Sequence, residues 1–282
     1  MHEDDASAAN PYLQHHFETP AQQFDSAKLG MWLFLATEIL LFGGLFCAYA
    51  VYRGNHPEVF LWAHHLLDTK LGAINTVVLL TSSLTMAWAV RCAQLNHRRG
   101  LIVLLALTFL GGCGFMGIKY VEYESKWKHG LLWGKRFGPD EHYVAEHFGL
   151  PQGVPHAAAT PPGVKLLPPQ PAAEPGKFVV QRSVIPPAAT GPAGRASDAP
   201  QAKPLEARPE NVHIFFGIYF LMTGLHGLHV LAGMGVLAWL LRRAVRGDFS
   251  SAYFTPVDLG GLYWHLVDLI WIFLFPLLYL IH

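Results

Sequence analysis

Thr223-Gly224-Leu225-His226-Gly227-Leu228-His229-Val230 decides how the chain is read. The octet lies inside an apolar run from Val212 to Leu241, long enough to cross a bilayer. His226 and His229 are three residues apart, so a helix brings them to one face. Gly224 and Gly227 give that helix a thin side, where a neighbouring helix is expected to approach closely. A second run, Gly261–Ile281, repeats the three-residue spacing with His265 and Asp268. Polar groups at membrane depth are costly, so these are expected to point into a helix bundle and find partners there.

Three more apolar runs precede the octet. They are Leu29–Tyr52, interrupted by Glu38; Leu71–Val90, with Asn75, Thr76, Thr81, Ser82, Ser83 and Thr85; and Leu101–Tyr120, thinned by Gly111, Gly112, Gly114 and Gly117. Each run has about the 20 residues that a spanning helix needs. Hydroxyls can bond their own helix backbone and are tolerable in lipid. The expected fold is therefore an all-α membrane protein, a bundle of five transmembrane helices. A long Pro/Ala-rich extramembrane insertion separates helices 3 and 4.

Residues 1–27 read as a polar tail, 28–121 as helices 1–3, 122–210 as the insertion and 211–282 as helices 4–5. The first part of the insertion, 122–150, carries charges and aromatics suited to order. The second, 151–209, holds 14 of the 20 prolines and cannot bury enough apolar surface to offset its ordering entropy. It is expected to be extended or disordered.

Composition agrees with a membrane protein: 52% of residues are hydrophobic and 14% charged, where a globular domain carries about a quarter charged. Formal net charge is zero, so no nucleic-acid partner is expected. Cys47, Cys92 and Cys113 form no CxxC pair and read as buried small hydrophobes. Glu3, Asp4, Asp5, Glu18 and Asp25 all precede Lys28, the reverse of a cleavable signal. Arg91, Arg98 and Arg99, with Arg242, Arg243 and Arg246, mark two short loops on the side of the N-terminus. The positive-inside rule puts that side in the cytoplasm, and the insertion and C-terminus outside. Trp62, Trp127 and Trp133 lie near helix ends, as interfacial aromatics do.

Glu38 falls about ten residues into helix 1, roughly 15 Å deep at 1.5 Å per residue. An isolated carboxylate there must be protonated or hydrogen-bonded. It reads either as a proton-linked acid or as a buried acid that only fixes packing. His226, His229, His265 and Asp268 are ligand types that suit zinc, copper or iron, but an interhelical hydrogen-bond network is the simpler expectation. His64, His65 and the run His142 to His147 read as surface histidines.

Several stretches together resemble subunit III of haem–copper oxidases, cytochrome c oxidase type, in its five-helix form. They are Lys28-Leu29-Gly30-Met31-Trp32-Leu33-Phe34 with Thr37-Glu38; Asn75-Thr76 with Ser82-Ser83; Lys119-Tyr120-Val121-Glu122-Tyr123; the His226 octet; and Tyr263-Trp264-His265-Leu266-Val267-Asp268 with Trp271. They occur in the family's order and cover all five helices. Lys119 departs from the family, where many members have glutamine, and so does the Pro-rich insertion. His56-Pro57-Glu58-Val59-Phe60 looks like a copper-ligand run of the catalytic subunit, but it falls in a loop of a bundle too small for that subunit and is read as coincidence.

The resemblance implies a chain without haem or copper of its own, those centres lying in the partner subunits. It implies packing on oxidase subunit I and subunit II, bound phospholipid, and support of proton uptake and pumping. The setting it implies is a bacterial inner membrane, with membership of a larger respiratory supercomplex left open. Glu38 matches the family's carbodiimide-reactive carboxylate. Glu122, His226, His229, Trp264, His265 and Asp268 match its packed polar interior. Seven-helix members have two further helices at the N-terminus, so the usual lipid cleft needs a partner here. A quinol-oxidase or nitric-oxide-reductase subunit of the same kind is the near alternative. A small proton-coupled transporter is the distant one, against which five unpaired helices count.

Overall fold

In hydrocarbon, every backbone amide must be satisfied within its own segment, so each apolar run has to become a helix. The structure, a computed structural model, describes residues 13–133, 137–148, 209 and 211–281. Its helices are α1 (Pro20–Asn55), α2 (Pro57–Ala63), α3 (Thr69–Gln94), α4 (Arg98–Lys128), α5 (Glu141–His147), α6 (Val212–Arg246) and α7 (Thr255–Tyr279). Of these, α1, α3, α4, α6 and α7 are long and apolar enough to cross a membrane. The Pro-rich half of the insertion, apart from Pro209, lies outside the described residues.

Helix ends extend past the apolar runs where caps allow it. Helix α1 starts at Pro20, inside the expected polar tail. Pro20 sits in the first turn, where its missing N–H costs nothing, and the Thr19 hydroxyl accepts from Gln22 N at 3.1 Å. Asp68 caps α3 by accepting from Lys70 N and Leu71 N. Helix α4 runs on to Lys128, so part of the expected insertion belongs to a spanning helix. The loop after α1 is itself helical, with a 3₁₀ turn at His64–Leu66 following α2. Helix α6 ends on Gly247, whose φ of +88° suits glycine, and Arg98 donates to the end carbonyls of Ala244 and Val245.

Helices α3, α4, α6 and α7 form a close-packed group in which α3 is antiparallel to both α4 and α7, and α6 is antiparallel to both as well. Thr85 meets Thr108 at 2.8 Å, and Trp271 Nε1 donates to Thr76 at 3.0 Å. Helix α1 lies against α6 and α7 at the edge: 11% of its apolar window is buried, against 56% for α7. Small residues set the close approaches. A Cβ on Gly112 would stand 2.9 Å from the Trp264 ring, and one on Gly233 also 2.9 Å from it. Gly111 meets Ser82 in the same way. Gly224 and Gly227 behave differently from expectation, with nothing within 4 Å of the Cβ either would carry. They line a cleft of about 220 Å³ on the outside of α4 and α6.

Two other expectations are corrected. Cys47 and Cys113 are exposed and Cys92 half-buried, because the outer faces of these helices accept small apolar groups as readily as the core does. Trp62 is buried against Phe148 and does not offer its ring to lipid, whereas Trp127 and Trp133 are exposed. Thr76, Thr81, Ser82 and Thr85 bond backward as expected, to Gly72 O, Val77 O, Leu79 O and Ser82 O, whereas Ser83 bonds across to His265.

Gly233→Ala drives a methyl into the Trp264 ring and should cost about 1–3 kcal/mol. Gly235→Ala, on the same helix with open space at its Cβ, is the matched control. The thermal midpoint of the purified membrane complex should fall for the first and stay for the second. Equal midpoints would show that the Trp264 layer is loose.

Candidate functional site

Glu38 projects from α1 and His229 from α6, and they meet at 2.8 Å between Oε2 and Nε2. The other ring nitrogen of His229, Nδ1, lies 2.8 Å from the Leu225 carbonyl, which can only accept. Nδ1 therefore carries a proton, and Nε2 bonds Glu38 through one further proton. That proton can sit on either partner, as carboxylic acid and neutral imidazole or as carboxylate and imidazolium. The Phe42 ring stands edge-on to His229, and the Tyr263 hydroxyl donates to the His229 carbonyl at 3.0 Å. The two side chains keep 15% and 17% exposure, so small membrane-soluble reagents can reach them.

Two more polar contacts fasten α1. Lys28 pairs with Asp258 at 3.2 Å near one end. Tyr49 donates to the Leu277 carbonyl and accepts from Arg53 near the other. Along Gln23 to Phe34, on either side of the Lys28 contact and short of Glu38, α1 stands off from α6 and α7 and leaves an apolar groove of about 620 Å³. Met31, Phe34, Val236, Trp239, Leu259 and Tyr263 line it. At its mouth, the Arg243 guanidinium bonds Asp248 at 2.9 Å and lies 5.0 Å from the Trp239 ring and 5.5 Å from that of Tyr253.

The remaining expected residues do not converge on one another. His265 bonds the Ser83 hydroxyl at 2.7 Å, and Trp264 Nε1 donates to Ser82 Oγ at 3.1 Å. His226, although on the same helix as His229, turns into the core between the rings of Phe115 and Trp271. Among the described residues, neither its ring nitrogens nor the Asp268 oxygens meet a hydrogen-bond partner. No group of three or more His, Cys, Asp or Glu is placed to hold a metal among the described residues.

Glu122 is the centre of a buried cluster. Its Oε1 accepts from Lys126 at 2.9 Å, Tyr219 at 2.9 Å and Tyr279 at 2.6 Å, and its Oε2 accepts from Lys119 at 2.8 Å. Lys119 also donates to Tyr279 at 2.8 Å and lies 4.6 Å from the Trp271 ring. Lys126, Tyr219 and Tyr279 had no place in the sequence reading. The available signal was the spacing of Lys119, Glu122 and Lys126, which are three and four residues apart on one helix face. Outside the spans, His129 stacks on Tyr143 at 4.0 Å, and burial pushes the Tyr143 phenol up from its ordinary pKa.

Five spanning helices whose buried polar side chains turn inward, most of them onto one another, define a multi-pass membrane protein of the helical-bundle class. The family model described as cytochrome c oxidase subunit III matches residues 4–128 and 211–282, and the chain belongs to that family. A cytochrome c oxidase subunit 3 from Thermostichus vulcanus is 25% identical over 272 residues, covering 95% of this chain and 92% of the relative. A cytochrome bo(3) ubiquinol oxidase subunit 3 from Pseudomonas putida is 25% identical over 256 residues, covering 90% and 84%. A haem–copper oxidase subunit I+III from Aeropyrum pernix is 24% identical over 279 residues, which is 96% of this chain and 24% of that longer protein.

Removing one member of a buried ion cluster leaves the others charged and unpaired, at about 3–5 kcal/mol. Glu122→Leu should therefore sharply lower the amount of this chain retained in the purified complex. Lys119→Gln keeps a donor for Glu122 and should be tolerated. Normal retention of the Glu122→Leu chain, measured by immunoblot, would show that the cluster does not hold the bundle.

Proposed function

We propose that this non-catalytic subunit III supports proton uptake and pumping in a haem–copper oxidase, through a proton shared by Glu38 and His229. Family membership makes the chain part of a complex with catalytic subunits. Subunits I and II are the proposed contacts, and haem and copper belong to them. The proposed location is a bacterial inner membrane with the N-terminus in the cytoplasm, on the strength of the arginine-bearing short loops.

The observation that carries this reading is the Glu38–His229 bond. It holds one transferable proton at membrane depth, with limited exposure at the edge of the bundle. With its shared proton the pair is neutral overall, so the proton can move between carboxyl and imidazole with no net charge in lipid. Gaining or losing one leaves a single charge spread over both groups at the partly exposed edge of the bundle. A second part of the proposal is that the apolar groove beside it takes a phospholipid tail. Apolar walls at membrane depth suit the chain, and the Arg243 guanidinium at the mouth suits the phosphate. The electron donor is cytochrome c or quinol; relatives bearing either name match this chain at 25% identity. The visible spectrum of the purified complex, with its donor activity, distinguishes them.

Glu38→Gln removes the shared acid proton. Initial oxidation should be spared, because this chain supplies no redox centre in the proposed scheme, while pumping weakens or activity is lost faster during turnover. His229→Leu should give the same slow loss. Oxygen-electrode traces with proton-ejection measurements read both, and an enzyme dead from its first turnover would refute the role. A hydrophobic carbodiimide should label Glu38 in preference to other carboxyls.

The lipid has its own test. Ala232→Phe narrows the groove from the α6 side and should lower the phospholipid retained per purified complex. An unchanged count would remove lipid from this groove.

A further inference from the structure

Three polar side chains inside the α3–α4–α6–α7 group are used by none of these contacts. Asn75 on α3, His226 on α6 and Asp268 on α7 are buried at 1%, 0% and 2% exposure. Their six side-chain nitrogen and oxygen atoms meet no hydrogen-bond partner among the described residues. Helix register brings them to adjacent levels of the core. Trp271 marks the level: its Nε1 donates to Thr76, next to Asn75, and its ring centroid is 5.3 Å from that of His226. Asp268 is one turn away on the same interior stripe of α7, between the buried rings of Trp264 and Trp271.

The surrounding protein has little to offer these atoms. The Ser83 hydroxyl bonds His265 Nδ1 at 2.7 Å and, where that nitrogen is the donor, can turn its own proton toward Asp268, which is one partner at most for a carboxyl with two oxygens. The Lys119 ammonium is taken by Glu122, Tyr279 and Tyr219. Phe115 presents only a ring to His226. The helix backbones bond to themselves. Buried polar groups in folded proteins are nonetheless bonded, to protein or to ordered water, and a buried water takes two to four polar partners. An amide, an imidazole and a carboxyl from three helices supply donors and acceptors in the mixture that water satisfies.

We propose that Asn75, His226 and Asp268 form an internal water-binding site, separate from the Glu38–His229 pair and on the core-facing part of the same α6 face. The bound water joins α3, α6 and α7 where direct side-chain bonds do not. It also places an acid and an imidazole in one exchangeable hydrogen-bond system inside the membrane.

The test is X-ray radiolytic labelling of the intact purified complex, in which hydroxyl radicals made from bound water oxidise the side chains beside it. His226 and Trp271 should be labelled several-fold more than Phe60 and Phe215, which are equally buried. Labelling no higher than at Phe60 and Phe215 would mean a dry core and overturn the proposal. The comparison uses the unmodified protein, so it does not depend on a variant that folds. Asp268→Asn keeps a polar partner for the water and should retain the labelling, while Asp268→Leu should lower it. Density in the assembled complex showing Asp268 bonded directly to His226, with no water between, would also overturn it.

Discussion

A carboxylate buried in the interior of a membrane bundle is stable only if its charge is met on the spot. Glu122 is met by two ammonium groups from its own helix and by the hydroxyls of Tyr219 on α6 and Tyr279 on α7. That arrangement fixes more than local charge. Helices α4, α6 and α7 must come together at one level, with their rotations set by the direction of four donors. From this level, the antiparallel register carries the Trp271 layer against Phe115 and His226 and the Trp264 layer against Gly112 and Gly233. Hydrophobic attraction between helices is absent in lipid, so register of this kind has to come from packing and hydrogen bonds.

Helix α1 is held by different means. It shares little buried surface with the rest and is fastened at three separated points: Lys28 to Asp258, Glu38 to His229, and Tyr49 to the Leu277 carbonyl. The middle contact is the one with a transferable proton. The groove around the first contact follows from this geometry, because a helix fastened at points does not close against its neighbours along its length. The proton-sharing pair and the apolar groove are thus two results of one loose attachment.

The candidate site was partly legible. Glu38 stood out because a lone carboxylate in an apolar run is rare and needs a partner. Its partner did not stand out, since His229 lies 191 residues away and sequence spacing paired it with His226. Three-residue spacing is sound for position on a helix, but one face of α6 is divided between two neighbours: His229 turns to α1 and His226 into the core. Gly224 and Gly227 failed for a related reason. A thin side permits close approach without saying which thin side is used, and the helices come together at Gly112 and Gly233 instead.

What the sequence determined by itself is the number and nature of the spanning helices, because hydrocarbon leaves an apolar run of that length no alternative to helix. It also determined which rare polar residues must be inside, and the family to which their order points. What only the tertiary structure decided is the pairing: Glu38 with His229, His265 with Ser83, Glu122 with Tyr219 and Tyr279, and none among the described residues for Asn75, His226 and Asp268. Local sequence sets a side chain's height and rotation on its own helix. The rotation and offset of the helix opposite are set by close contacts spread over the whole bundle, and those two quantities choose a buried polar group's partner.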